Sequence, residues 1–443
     1  MRIQLSDRFG YGRMLRFVAP SVVMMIFTSI YNVVDGFFVS NFVGKVLFAA
    51  INLMMPLFIF MMALGFMLGT GGSAIVAQTL GEGKKELANR YFSLLIYATL
   101  AAGTFITVLG LLGLERIAVW LGARGEMLDN CILYGRGILP SMPLFLVQSA
   151  FQSFFVTAEK PKLGLAFTVA AGVANIVLDA LFVMVFRWGL AGAAAATTAS
   201  VAVGGLGPLV YFARRNDSLL RLGGTEVMAG VLIQSCVNGS SELMSTLSGS
   251  VVTVLYNHQL MNLAGDDGVA AFGVIMYLSF IFTAVFMGYS VGIAPVIGYH
   301  YGAGNVLELQ SLFRKGLTLI AAAGTAMLCV SLLASGPLTG IFVGYDPALR
   351  EMTLRGMWIY GLSFLFCGFN IFGSAFFTAL GDGITSAVIS FLRTLVFESS
   401  SVMLVPLVFG LDGVWGSVIA AELLALGVTA LSFAMKKKRY GYV

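Results

Sequence analysis

The sequence predicts an all-α integral membrane protein of twelve spanning helices in two pseudo-symmetric six-helix lobes. Three observations carry this reading. Of 443 residues, 58% are hydrophobic and 11% charged, against about 25% charged in a soluble domain. The apolar residues gather into about twelve runs long enough to cross a bilayer. Segments of the first half also recur in the second at an offset of about 221 residues.

The mean hydropathy is +0.92. A soluble fold needs a polar exterior, whereas lipid accepts an apolar one if helices satisfy the backbone internally. Cys131, Cys236, Cys329 and Cys367 are scattered without a CxxC pair and read as small buried hydrophobes. The only histidines, His258 and His300, argue against a histidine-based metal centre. A net charge of +5 would suggest nucleic acid in a soluble chain. Here the basic residues sit between apolar runs, so membrane topology accounts for them and no nucleic-acid partner is expected. Arg2, Arg8, Arg13 and Arg16 precede an apolar run from Phe17 to about Val43. It is too long for the apolar part of a signal peptide and no small-residue cleavage site follows, so it reads as the first span.

A spanning helix needs about 20 mainly apolar residues. The runs fall at 17–43, 47–79, 91–114, 131–157, 163–186, 191–212, 228–262, 269–298, 316–342, 355–379, 385–409 and 413–434. The second and eighth are overlong and are expected to tilt or to continue past the bilayer. With the N-terminus inside, 18 of the 26 Lys and Arg face the cytoplasm, 7 face outward and Arg393 lies within a span. That bias places both termini in the cytoplasm of a multi-pass plasma-membrane protein.

In the repeat, Gly81 and Gly83 fall on Gly302 and Gly304, and Gly189-Leu190-Ala191-Gly192 falls on Gly410-Leu411-Asp412-Gly413. Six spans separate the copies, so the halves share an orientation about an axis along the membrane normal. The expected division is a first lobe at 1–212, a cytoplasmic linker at 213–226, and a second lobe at 227–443 with a basic tail. A duplicated bundle with a central interface suits alternating access.

Five carboxylates lie inside apolar runs: Asp35, Asp179, Glu242, Glu398 and Glu422. Each costs ~2.5–3.5 kcal/mol or more at mid-membrane, which points to function. Asp35 and Asp179 lie about eight and seven residues before the outer ends of the first and fifth spans. At ~1.5 Å per residue both sit ~10–12 Å from the outer boundary. Thr197 enters the sixth span at the same level. Asn175 shares a helical face with Asp179, and Tyr31 stands in the same relation to Asp35.

These oxygens form a plausible cage for Na⁺. Alternatively, two nearby carboxylates in a low dielectric do not both stay ionised, which suits proton carriage. Either way a cationic compound competes for the same charge, the physical basis of antiport. The bland alternative is that Asp35 and Asp179 bond to backbone at helix breaks. Glu242 follows Asn238-Gly239-Ser240-Ser241 and reads either as a second-lobe cation or substrate group or as part of a helix break. Arg393 and Glu398, five apart, do not face each other on an α-helix, so partners on other helices and a structural role are expected. Glu422 has no assignment.

Taken in order, several segments resemble the MATE (multidrug and toxic compound extrusion) family. They are Pro20, Tyr31 to Asp35, Gln78-Thr79-Leu80-Gly81-Glu82-Gly83, Asn175 with Asp179, Gly189 to Thr197, Pro295 to Gly304, and Arg393-Thr394 followed by Pro406 and Gly410 to Gly413. The resemblance covers nearly the whole chain and is to the bacterial branch with MepA-like and DinF-like members. It implies two six-helix lobes forming a V and cation-driven efflux. It also implies a first-lobe cation site of Asp35, Asn175, Asp179 and Thr197, with Tyr31, Tyr134 and Gln152 as further cavity residues beside Glu242. The NorM-like branch relies on second-lobe carboxylates, for which this sequence shows no confident match.

The leading expectation is therefore a monomeric H⁺- or Na⁺-coupled exporter of small cationic or amphipathic compounds, contacting lipid and needing no cofactor. A lipid-linked oligosaccharide flippase of the same superfamily is the alternative and would be expected to line its cavity with several Arg or Lys. A membrane enzyme would need a nucleophile, a base or metal ligands in polar loops, and the loops are short.

Overall fold

Apolar runs become helices in a membrane because only internal hydrogen bonds can satisfy the backbone there. In the computed structural model, which describes residues 3–42 and 45–443 apart from the side chains of 32, 33, 35–42 and 45–48, the described residues form helices and no strand. Helices α1 (Tyr11–Phe42), α2 (Lys45–Gly81) and α3 (Lys85–Trp120) each make one span. The fourth combines α4 (Glu126–Ile138) and α5 (Met142–Thr157) across a 3₁₀ turn, Leu139–Ser141. Pro140 and Pro143 lack the N–H an unbroken helix would use there. The fifth span is α6 (Pro161–Asp179) running into a π-helix, Ala180–Val185, and the sixth is α7 (Gly189–Ala213).

Helix α8 (Ala229–Gly302) has 74 residues. At ~1.5 Å per residue it would far exceed a hydrocarbon core of ~30 Å. It breaks at Gly265, whose φ of 61° and ψ of −148° leave the helical region, and its two arms are the seventh and eighth spans. Then come α9 (Val306–Val343), α10 (Pro347–Gly361) and α11 (Phe364–Ala379), the last two bent by 48° into one span. The eleventh comprises α12 (Gly383–Phe391), a π-helix at Leu392–Glu398 and α13 (Ser399–Leu404). Helix α14 (Pro406–Tyr440) is the twelfth and turns at Gly410. The helices overlap all twelve apolar runs and extend beyond several of them.

The duplication is visible in the backbone. Gly83 and Gly304 have φ of 80° and 66°, and Gly189 and Gly410 have φ of 53° and 57°. Each pair is one repeat apart, and glycine takes this left-handed conformation without a Cβ penalty. Buried aromatic side chains group by half: Phe92, Phe151, Phe154 and Phe212 pack in the first, Phe286, Phe372, Phe376 and Phe377 in the second. Of the cysteines, Cys131 and Cys367 are buried as expected, whereas Cys329 is exposed on α9.

The halves meet tightly toward the end of the bundle that carries the turns after α2 and α8. A Cβ on Gly81 would overlap the Tyr299 carbonyl oxygen, and one on Gly302 would overlap that of Gln78. Gln78 and Tyr299 are themselves one repeat apart, so the contact has approximate two-fold symmetry. Gly71 sits equally close to the Ser235 carbonyl, and Gly239 to that of Met67. Gln78 donates to the Ala379 carbonyl at 2.7 Å, and Asn238 donates to the carbonyls of Gly71 and Thr378 at 3.2 and 2.9 Å. The N-terminal segment crosses the same end. The Leu5 N–H donates to Glu159 at 2.7 Å and the Phe9 N–H to Glu308 at 2.8 Å, with Leu5 and Phe9 fully buried. That one segment thus bonds to a carboxylate in each half.

Candidate functional site

Gly172 lets α1 and α6 approach closely. A Cβ there would stand 2.5 Å from Phe27 Cε1 and 3.6 Å from Tyr31 Cγ. Phe27 and Tyr31 stack on one another with centroids 6.5 Å apart. Asn175 and Asp179 follow Gly172 by three and seven residues, on the same helical face. Both are 1% exposed. Residue 35 lies one turn beyond Tyr31 on α1, but its side chain falls outside the described residues, so the Asp35 carboxyl has no stated place.

The buried Asn175 Oδ1 has no hydrogen-bond partner among the described residues. An orphaned buried acceptor costs ~1–3 kcal/mol. Directly after Asp179 the chain enters the π-helix, a local irregularity frequent at functional sites. The turn into α7 is tight: a Cβ on Gly192 would lie 3.0 Å from the Phe182 carbonyl oxygen. From that antiparallel pairing, residue 197 falls between the levels of Asn175 and Asp179. Thr197 is half-buried, and its carbonyl accepts from Ser200 Oγ at 2.8 Å. Asn175 and Asp179 on α6, and Thr197 by its level on α7, thus fit the expected cation set in height. Oxygen donors of this kind suit Na⁺ or a proton. Among the described residues no group of three or more His, Cys, Asp or Glu is placed to hold a metal ion.

Among the described residues, the four expected cavity residues have different surroundings, and Gln152 and Glu242 line separate cavities. Tyr31 packs beside Gly172. Tyr134 lies edge-on to Phe58, with centroids 5.8 Å apart. Gln152 lines a small cavity inside the first half with Gln148, Phe151, Phe155 and Phe167. Glu242 instead faces a cavity of about 40 Å³ between the halves, lined also by Thr70, Ser73, Ser153, Ser290 and Thr378. The feature that sequence reasoning missed is this ring of hydroxyls. Their Ser and Thr types are ordinary in membrane helices, and only packing brings them together.

The expectation for the second-half charges holds. Arg393 and Glu398 both lie in the π-helix Leu392–Glu398 and make no ion pair or hydrogen bond with each other among the described residues. The partner is on another helix, as expected. Arg393 Nε donates to Glu422 Oε1 and Oε2 at 2.9 and 3.1 Å, and a terminal nitrogen donates to Oε1 at 2.6 Å. Removing one member of a buried pair strands the other at about 3–5 kcal/mol. Arg393→Leu is therefore expected to lower the melting temperature of the detergent-purified protein sharply, and Glu422→Gln to lower it less. An Arg393→Leu variant melting like wild type would refute the stabilising role.

The comparisons agree with this architecture. The MatE family model matches residues 20–181 and 242–400. The multidrug export protein MepA of Staphylococcus saprophyticus is 24% identical over 440 residues, covering 96% of this chain and 94% of that protein. MepA of Staphylococcus haemolyticus is 26% identical over 424 residues, covering 93% and 90%. A MATE crystal structure in complex with MaL6 superposes with a TM-score of 0.92 at 23% identity over 98% of both chains. The outward-facing conformation of a multidrug resistance MATE family transporter gives 0.92 at 22% identity, again over 98% of both. The twelve-helix, two-lobed, V-shaped fold expected from the sequence is thus the one observed, and the chain belongs to the MatE family.

Proposed function

We propose that this protein is a cation-coupled antiporter that takes up H⁺ or Na⁺ and exports small cationic or amphipathic organic compounds by alternating access. The observation that carries this reading is the buried Asn175–Asp179 face of α6, pressed against α1, with the Asn175 carbonyl oxygen unpaired among the described residues. An ion bound there changes the first lobe's charge by one unit. Cargo bound at the interface then answers to that charge, so the two exclude each other.

The cargo group is Glu242, whose half-buried carboxylate faces the inter-lobe cavity among hydroxyls and makes no hydrogen bond to another described side chain. The residues lining that cavity carry no Arg or Lys, which favours a cationic cargo over a pyrophosphate-linked one. The relatives' names, multidrug export protein, support a broad substrate range.

In this reading the lobes are residues 1–212 and 227–443, and both termini face the cytoplasm. The glycine-tight end is the cytoplasmic gate, shut in this structure. Residues 213–226 link the lobes and lie along the first, where Arg221 N–H donates to Asn89 at 2.7 Å and Lys160 pairs with Asp217 at 2.6 Å. No organic cofactor takes part, and one chain suffices.

The test is efflux of a cationic dye from proteoliposomes under separate Na⁺ and pH gradients. One gradient alone is expected to drive export against the dye gradient. Dye movement indifferent to both would overturn the reading.

A further inference from the structure

We propose that residues 3–10 form a strap across the two halves, and that its catches, Glu159 on the first half and Glu308 on the second, hold the cytoplasmic gate shut through the backbone of Leu5 and Phe9. The strap rests on the alternating-access part of the reading above and does not depend on which ion drives it.

The attachments are backbone bonds to charged side chains. The Leu5 N–H donates to Glu159 Oε1 at 2.7 Å. Phe9 is gripped at both of its main-chain groups by α9: its N–H donates to Glu308 Oε1 at 2.8 Å, and its carbonyl accepts from Lys315 Nζ at 2.5 Å. Leu5 and Phe9 are fully buried, whereas Ser6 and Arg8 between them are exposed. Four residue steps separate the two anchors, at most ~14 Å of extended chain. The anchor points cannot part beyond that reach while both attachments hold.

The catches depart from what their local positions alone call for. Glu159 has a φ of 58°, a left-handed conformation that a residue with a Cβ adopts only at a cost. It stands two residues past α5. Two residues past α11, the matching helix of the other half, Gly381 holds the same conformation with a φ of 78°. The first half thus bears strain where the second uses glycine, and what the glutamate adds is a carboxylate beneath the Leu5 N–H. Glu308 is the third residue of α9, whose N-cap is Asn305. An acidic side chain at that position commonly turns back to the N-cap N–H. Here the Asn305 N–H donates to the His300 carbonyl at 3.0 Å, and the Glu308 carboxylate reaches Phe9 instead.

The strap crosses the end where Gly81 meets Tyr299 and Gly302 meets Gln78. Glu159 follows the fourth span and Glu308 opens the ninth, so the segment ties together helix ends of different halves. Those ends must separate for cargo to enter from the cytoplasm.

The test uses the full-length protein in nanodiscs, with spin labels at Lys85 and Val306 across the gate. Glu159→Gly installs the residue that the second half uses. Its backbone relief lies within one half and is the same with the gate open or shut, so only the lost catch moves the balance. A hydrogen bond to a charged group is worth roughly tenfold or more, and the long-distance population is expected to rise by about that factor. Glu308→Gln is expected to raise it less, because the amide oxygen still accepts. Deleting residues 2–9 should open the gate at least as far as Glu159→Gly does, and in that background Glu159→Gly should change nothing further.

Unchanged distances in both Glu159→Gly and the shortened protein would overturn the strap. So would further opening by Glu159→Gly once the segment is gone. Should the shortened protein not fold, Leu5→Asp takes its place: it sets a second carboxylate against Glu159 and peels the segment into water at full chain length, and the same two outcomes decide. Dye efflux judges the antiport reading separately. A wild type that ignores both the Na⁺ and the pH gradient would sink that reading, while the strap stands or falls on the distances.

Discussion

Asp179→Asn is expected to abolish ion-driven efflux while leaving the protein folded. The amide has the shape of the carboxyl but cannot change charge, so it can neither carry a proton nor neutralise Na⁺. A tenfold gradient of a monovalent ion is worth ~1.4 kcal/mol per ion. Without a group to exchange that ion, none of this energy reaches the cargo. Dye accumulation driven by the gradient should fall to the level seen with no gradient at all. Asn175→Ala should weaken coupling less, because it removes an oxygen ligand and keeps the charge. The measurement is gradient-driven dye efflux, with a thermal melt of each purified variant as the folding control. Wild-type coupling in both Asp179→Asn and Asp35→Asn would remove the first-lobe site from the mechanism.

Gly81→Ala and Gly302→Ala are each expected to push the closed end open. The added Cβ would overlap a backbone carbonyl oxygen, of Tyr299 in one case and Gln78 in the other. Backbone cannot rotate out of the way as a side chain can. Overpacking of this kind costs ~1–3 kcal/mol. Because the clash lies between the halves, separating them relieves it. The balance between closed and open states at this end should therefore shift by roughly 5- to 150-fold.

Spin labels placed at Lys85 and Val306, beside the two matched turns, would report the separation as a longer distance. Gly427→Ala is the control, since a Cβ there meets nothing within 4 Å. Equal distances in Gly81→Ala and Gly427→Ala would show that this contact does not hold the gate. The two-fold character of the contact adds a check: Gly81→Ala and Gly302→Ala should act alike, although they lie in different lobes.

The relative depth of Asn175, Asp179 and Thr197 was legible because depth in a membrane is a linear quantity. Counting residues from the ends of the fifth and sixth spans placed Asn175, Asp179 and Thr197 at one level, and the α6–α7 hairpin keeps them there. The cavity residues were less legible. Tyr31, Tyr134, Gln152 and Glu242 are all polar groups in apolar helices, but which neighbour each one meets depends on helix rotation, and apolar composition leaves rotation free. For Arg393 the sequence indicated a partner on another helix, but only packing identified it as Glu422, and nothing in Leu392-Arg393-Thr394-Leu395 announces the π-helix there.

By itself the sequence determined the solvent, the number of spans and the duplication. Each of these follows from the length and order of apolar runs, and lipid enforces that pattern without regard to what packs against what. Tertiary structure alone decided which carboxylate meets which partner: Glu422 against Arg393, and Glu242 among hydroxyls at the interface. Those pairings arise where helices distant in sequence touch, through glycine contacts and π-helical turns whose geometry a one-dimensional pattern does not carry.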